Sequence, residues 1–251
     1  MTSVPVVARA LAVAAGVTAG LQLLPALTTV APLRRAALPR LAGSGQRRHV
    51  ALTFDDGPDR VSTPRFLDLL VEREVTATFF LLGAYACREP VLVREMAAAG
   101  HELAVHGWEH DCIAMLRPGR LAGQLARSRD VVEDLTGRPV AYYRPPYGVM
   151  TAEGLYAARR AGLETVLWSA WGVDWSRSAT PESIVRTVHR SLRPGGTVLL
   201  HDTDRTSAPG SWRRTLVATR LLLDHWDALE VPVGPLGEHW SAGPMLVTRP
   251  G

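Results

Sequence analysis

From Val50 onward the chain alternates short runs of β-forming residues with longer segments of helical spacing, each change marked by Gly, Pro, Ser or Thr. Strands are expected at 50–54, 77–82, 102–105, 142–144, 165–168, 197–200 and, more weakly patterned, 229–233. Helices fit at 63–72, 91–99, 120–135, 152–161, 181–192 and 212–226. Thr180 before Pro181, with Ser183 in the first turn, is a helix start signal, and Gly100 and Gly162 are stop signals. Strands joined by crossover helices make a parallel sheet covered on both faces. About seven such units predict an α/β fold, a (β/α) barrel that is complete or lacks one strand, whose chemistry sits where strands end.

The first fifty residues do not share this pattern. After Arg9 the chain is uncharged from residue 10 to residue 33, long enough for a helix to cross a bilayer core of roughly 30 Å. Pro25 and Pro32 interrupt its second half, so the first half also fits the apolar part of an export signal. Residues 1–33 are therefore expected to be a signal peptide or a membrane anchor, with a basic linker over 34–48 and a catalytic domain over 49–251. The domain is expected to be exported or membrane-anchored on the extracytoplasmic side. The cluster Arg34, Arg35, Arg40, Arg47 and Arg48 after the apolar run pulls against an outward-facing anchor.

Composition excludes several chemistries. The chain has no lysine, which removes Schiff bases and the P-loop lysine. Cys87 and Cys112 are too few for a disulfide framework or a four-thiolate zinc site. The net charge is +4, but outside the one cluster the arginines are interleaved with acids, so no nucleic-acid partner is expected.

The polar residues gather at strand ends. The first strand ends in Asp55-Asp56-Gly57-Pro58, where adjacent carboxylates repel unless a cation or guanidinium compensates. An Asp-Gly turn is the plainer alternative. The third runs into His106-Gly107-Trp108-Glu109-His110, and histidines at i and i+4 share one face of a helical turn, a spacing that suits a metal. Two imidazoles and a carboxylate with open positions describe a catalytic zinc site or a facial-triad iron site. The fourth ends in Arg144-Pro145-Pro146-Tyr147, a stiff turn whose arginine can grip a carboxylate through a bidentate pair. Asp174-Trp175 follows the fifth strand and His201-Asp202 ends the sixth. Any one of these could be structural, and Trp175 taken alone reads as a core residue before a pocket wall. Their occurrence at successive strand ends points to a site.

In this ordered set the sequence resembles the polysaccharide deacetylases, the fourth carbohydrate esterase family. The match consists of Thr53-Phe54-Asp55-Asp56-Gly57-Pro58, His106-x-x-x-His110, Arg144-Pro145-Pro146-Tyr147, Asp174-Trp175 and Leu199-Leu200-His201. The resemblance implies a distorted (β/α) barrel and a divalent metal, usually zinc, on Asp56, His106 and His110. It casts Asp55 as general base and His201 as general acid, Arg144 as the residue orienting Asp55, and Asp174 as the partner that orients and charges His201. It gives Tyr147 a backbone N–H toward the oxyanion, and makes Trp175 and Leu199 the wall around the acetyl methyl. Two positions depart from the family pattern: Gly107 stands where Ser or Thr is usual, and Trp171 where many members carry an acid.

The implied function is metal-dependent removal of acetyl groups from N-acetylated glycans of the chitooligosaccharide or peptidoglycan type. An O-acetyl esterase on acetylated polysaccharide, or an inactive glycan-binding relative, are the alternatives. A facial-triad oxygenase would leave Asp55 and His201 without a task. A serine hydrolase lacks its G-x-S-x-G elbow. His49, His101, His189, His225 and His239 are expected to be structural or on the surface.

Overall fold

The computed structural model describes residues 31–45, 49–117 and 119–240. Residues 10–30 of the apolar run, and Arg47 and Arg48 of the basic cluster, lie outside the described residues, so the signal or anchor expected there does too. Among the described residues no helix is long and apolar enough to cross a membrane.

The first half runs α1 (Ala31–Ala37), β1 (Val50–Asp55), α2 (Thr63–Glu72), β2 (Thr78–Leu82), α3 (Gly83–Arg88), α4 (Pro90–Ala98) and β3 (Glu102–Gly107). The second runs α5 (Arg120–Thr136), β4 (Tyr142–Tyr143), α6 (Ala152–Arg160), β5 (Glu164–Thr165), β6 (Ala170–Trp171), α7 (Pro181–Ser191), β7 (Thr197–His201), α8 (Ser211–Ala228) and β8 (Val233–Gly234). The sheet order is β5-β4-β3-β2-β1-β7-β6, with β8 on the start of β1, and every pairing is parallel. The expected distorted barrel is the observed architecture.

Side-chain alternation explains how the barrel fills. Leu52 and Phe54 join the cluster between sheet and helices, whereas Ala51 packs with Phe80, Ala104, Tyr142, Val166 and Leu236. Thr53 and Asp55 share the parity of Ala51, so β1 delivers a carboxylate to the barrel interior at its last residue. Outside, Phe54 stacks on Phe79 (5.1 Å, 27°) and meets the edge of Phe66 from α2 (5.1 Å, 65°). All three rings are fully buried, and truncating Phe54 to Ala would cost about 3–5 kcal/mol. Thr180 and Ser183 form a reciprocal capping box on α7, as their spacing predicts.

The structure corrects four expectations. Residues 34–45 are part of the folded domain and not a linker. Arg34 is buried and donates to Trp168 O (2.7 Å), Arg35 reaches Ser191 O (3.3 Å), and Arg40 pairs with Glu164. Main-chain bonds continue the contact: Leu167 N donates to Leu41 O (2.8 Å) and Gly45 N to Gly195 O (2.7 Å). Arg34 and Arg35, read from sequence as part of a charged spacer, satisfy carbonyls along a seam of the barrel, because a guanidinium fork can serve several acceptors at once.

The strand expected at 165–168 is instead two short strands, Glu164–Thr165 and Ala170–Trp171, with residues 166–169 in neither. The first, β5, pairs with β4; the ladder with β7 is made further on, by β6 after a bend at Ser169. The short helix α3, directly after β2, was not anticipated. Finally, His106 and His110 do not share a helical turn. His106 is the last residue but one of β3, and Gly107, which ends the strand, turns the chain at φ 113°, a conformation suited to glycine.

Candidate active site

The ends of β1, β3, β4 and β7 and the stretch after β6 bring every expected residue to one place. A cavity of about 250 Å³ is lined by Asp55, His106, His110, Tyr147, Trp175, Leu199 and His201, together with Pro145, Trp168, Trp171 and Thr206. Asp56, Arg144 and Asp174 are fully buried and support that lining from behind. A larger cavity of about 770 Å³ lies among His49, His189 and His225, against the residues that precede β1 and β7, and holds none of the expected residues.

Asp56 sits in the left-handed region at φ 76°, which swings its side chain toward the histidines. Its Oδ1 lies 3.3 Å from His106 Nε2 and 3.4 Å from His110 Nε2. One ligand atom from each of the three residues falls within 4.8 Å of the others. Asp56 Oδ1 is buried and makes no hydrogen bond, an arrangement that costs free energy unless a cation completes it. Asp56, His106 and His110 therefore fit a divalent metal. His106 Nδ1 donates to Arg144 O (2.8 Å), which fixes the ring and turns Nε2 inward. Burial opposes ionisation of Asp56, but His106, His201 and His110 outweigh it and hold the carboxyl far below the usual range. Burial and the neighbouring His106 push His110 down to about 4, leaving it neutral as a ligand must be.

Arg144 is fully buried over the Phe80 ring (3.9 Å). It donates to Asp55 Oδ1 (2.6 Å), Thr53 Oγ1 (2.8 Å), Leu167 O (3.0 Å) and Val166 O (3.3 Å). The expected two-pronged grip on a carboxylate is thus a single contact, the rest of the fork being taken by the barrel wall. Burial lowers the guanidinium pKa, and Asp55 opposes that shift.

Across the cavity, His201 Nδ1 donates to Asp174 Oδ1 (3.0 Å), and His201 N donates to Asp174 Oδ2 (2.8 Å). Thr215 Oγ1 adds a third donor to Asp174 (3.0 Å). His201 Nε2 faces Asp56 Oδ2 at 3.9 Å. Burial alone would lower the imidazolium, but Asp174, Asp56 and Asp55 push it up to about 10.

Backbone strain concentrates here. Besides Asp56, Tyr147 (φ 60°) and the β-branched Val173 (φ 54°) are left-handed, each at a cost of about 1–3 kcal/mol. Tyr147 packs its ring edge-on to His110 (4.5 Å), and Val173 aims Asp174 at His201.

Three hydroxyls not visible as motifs, and Asp202 of the sixth strand end, also contribute. Thr206 donates to Asp56 Oδ2, and Thr215 secures Asp174. Ser128 on α5 donates to Gly107 O (3.0 Å), so a hydroxyl steadies this loop although position 107 has none. Asp202 is buried beneath the first strand end, where burial pushes it up to about 7. A side chain at Gly57 would come within 2.9 Å of Asp202 Oδ2. Thr206 lies in a loop and Thr215 and Ser128 on helices, where a hydroxyl carries no spacing signal, so only tertiary contact singles these three out.

A family model for polysaccharide deacetylases matches residues 42–166. The chitooligosaccharide deacetylase of Bradyrhizobium sp. (strain ANU 289) is 40% identical over 156 residues, covering 62% of this chain and 71% of that protein. The solved structure of the Bc1960 peptidoglycan N-acetylglucosamine deacetylase superposes with a TM-score of 0.72 at 29% identity, over 78% of this chain and 91% of the other. The wild-type BA3943 protein of Bacillus anthracis, a pseudoenzyme of the same esterase family, superposes with a TM-score of 0.69 at 25% identity, over 77% and 66%. With its fold, its ordered strand-end residues and these relatives in agreement, this chain belongs to the polysaccharide deacetylase family.

Proposed function

We propose that the protein hydrolyses the acetamide of N-acetylated glycans, of the chitooligosaccharide or peptidoglycan type, with a zinc ion held by Asp56, His106 and His110. The observation that carries this reading is the pairing of an incomplete two-imidazole, one-carboxylate cluster with a charged histidine across one cavity. When bound, the metal supplies a Lewis acid that favours water deprotonation and polarises an acetyl oxygen.

The remaining work falls to side chains. Asp55, held by Arg144, accepts a proton from the water whose oxygen adds to the acetyl carbon. A main-chain N–H at Tyr147 faces the oxygen that gains charge. His201 holds a proton on Nε2, kept there at neutral pH by Asp174, and passes it to nitrogen as the C–N bond breaks. Acetate and a free amine result. Trp175 and Leu199 enclose the methyl group and exclude water. The uncharged run from residue 10 to residue 33 supports a membrane location for this domain, through an export signal or an anchor, which cell fractionation with an antibody to the domain would test.

Mass spectrometry of products from chitooligosaccharides, peptidoglycan fragments and acetylated xylan tests the reading. Loss of acetyl from amide-linked positions is expected. Release from O-acetyl positions alone would replace it with an esterase. Glycan binding with no release from any substrate would replace it with a binding protein. Metal analysis of protein purified without added metal tests the choice of zinc.

A further inference from the structure

The floor of the active-site cavity is charged, whereas its rim is not. Pro145, Tyr147, Trp168, Trp171 and Thr206 complete the lining without a formal charge, and of these Tyr147, Trp171 and Thr206 are exposed. We propose that Trp171 is a stacking platform for the sugar unit next to the one losing its acetyl group, so that the enzyme selects N-acetylated oligosaccharides over single sugars. This rests on the deacetylase reading above and extends it to substrate length.

Size gives the first argument. About 250 Å³ falls below the roughly 300–1,000 Å³ of sites that engulf a drug-sized ligand, so one sugar unit fills the cavity and its neighbours must lie outside. Trp171 lines the cavity and also reaches solvent, the placement that a platform for such a neighbour needs. It is 40% exposed, although large aromatic side chains gain most from burial.

Its position is nevertheless fixed. Trp171 belongs to β6 and pairs with Leu199 of β7. Its ring stacks on Trp168 (5.9 Å, 27°) and meets Trp175 edge-on (5.3 Å, 66°), and Trp175 in turn packs against His201 (5.6 Å). An aromatic surface held on two sides loses little conformational freedom when a ligand settles on it. A pyranose offers a face of C–H groups with hydroxyls at its edge, matching a flat apolar plate bordered by water. Tyr147, 63% exposed and backed by His110, is a second aromatic ring on the same cavity lining.

Two measurements test this. In steady-state kinetics on chitooligosaccharides of one to four units, the wild-type enzyme should show kcat/KM rising with length. Trp171→Ala should remove about tenfold of that rise through KM, and Trp171→Phe should restore part of it. An unchanged length dependence in Trp171→Ala would overturn the inference while leaving the deacetylase reading intact. Calorimetric binding of N-acetylated chitotriose to Asp55→Asn and to Asp55→Asn/Trp171→Ala reads the same contact without turnover. A Kd about tenfold weaker in the double variant supports the platform even if no acetyl is ever released, and equal Kd values would overturn it. Circular dichroism verifies folding; should Trp171→Ala not fold, Trp171→Phe and Trp171→Leu carry the test, with affinity expected to fall in the order Trp, Phe, Leu.

Discussion

The two halves of the site are built to opposite standards. On the proton-donor side, Asp174 is fully buried and accepts from His201 Nδ1, His201 N and Thr215, so its charge is met entirely by the protein. On the metal side, Asp56 Oδ1, the atom facing both His106 Nε2 and His110 Nε2, is buried without a hydrogen-bond partner. One half is complete when the chain folds; the other waits for a cation. The difference follows from the task. A proton donor must hold its geometry and charge in every cycle, whereas ligands satisfied by the protein itself would resist coordination.

Breaking the metal half should have the largest effect. His106→Ala and His110→Ala should each abolish stoichiometric zinc and bring turnover to background, measured by elemental analysis and acetate release. Retained zinc in both would mean that the ligands are elsewhere. Asp55→Asn separates chemistry from coordination: kcat should fall by about 10²–10⁴-fold with zinc still bound, and near-normal turnover would remove Asp55 as the base.

The complete half should fail more gently. Asp174→Asn leaves His201 in place but removes the charge that keeps it protonated, so kcat should drop by about 10²-fold, at the low end of acid–base contributions. A pH–rate profile should show the alkaline limb moving to lower pH than in the wild type. Thr206→Val, which leaves Asp56 Oδ2 without its donor, should weaken zinc affinity by about tenfold in a chelator competition, and Thr206→Ser should recover it.

The smallest effect concerns stability. In the metal-free protein His201 is raised from 6.5 to about 10, so its contribution to folding is complete below about pH 6.5 and disappears as pH climbs through about 10. The Tm of metal-free protein should therefore decline between pH 7 and 10, and Asp174→Asn should flatten that decline. A Tm independent of pH in this window would show that the acid half is less strongly coupled than its geometry implies.

Much of this site is legible in one dimension because strand ends are. Asp55, Asp56, His106, Arg144 and His201 each lie at or next to the last residue of a short β-rich run, and a parallel barrel gathers such positions on one face. Period-two alternation also decides which residue of each strand points inward. The His106 and His110 pair was found through a helical spacing that the chain does not use, since the turn at Gly107 brings them together instead.

What the sequence alone determined, then, is the alternation that makes a barrel and the acids, imidazoles and arginine at its rim, because local periodicity and chain order encode both. Tertiary structure alone decided that Arg34 and Arg35 seal a seam instead of lying in a linker. It alone placed Thr206, Thr215 and Ser128 on the groups they hold, and set Trp171 as a braced yet exposed plate. A hydroxyl or an indole has no spacing rule of its own. Its role is fixed by whichever distant group the fold brings within about 3 Å of a donor or about 6 Å of a ring.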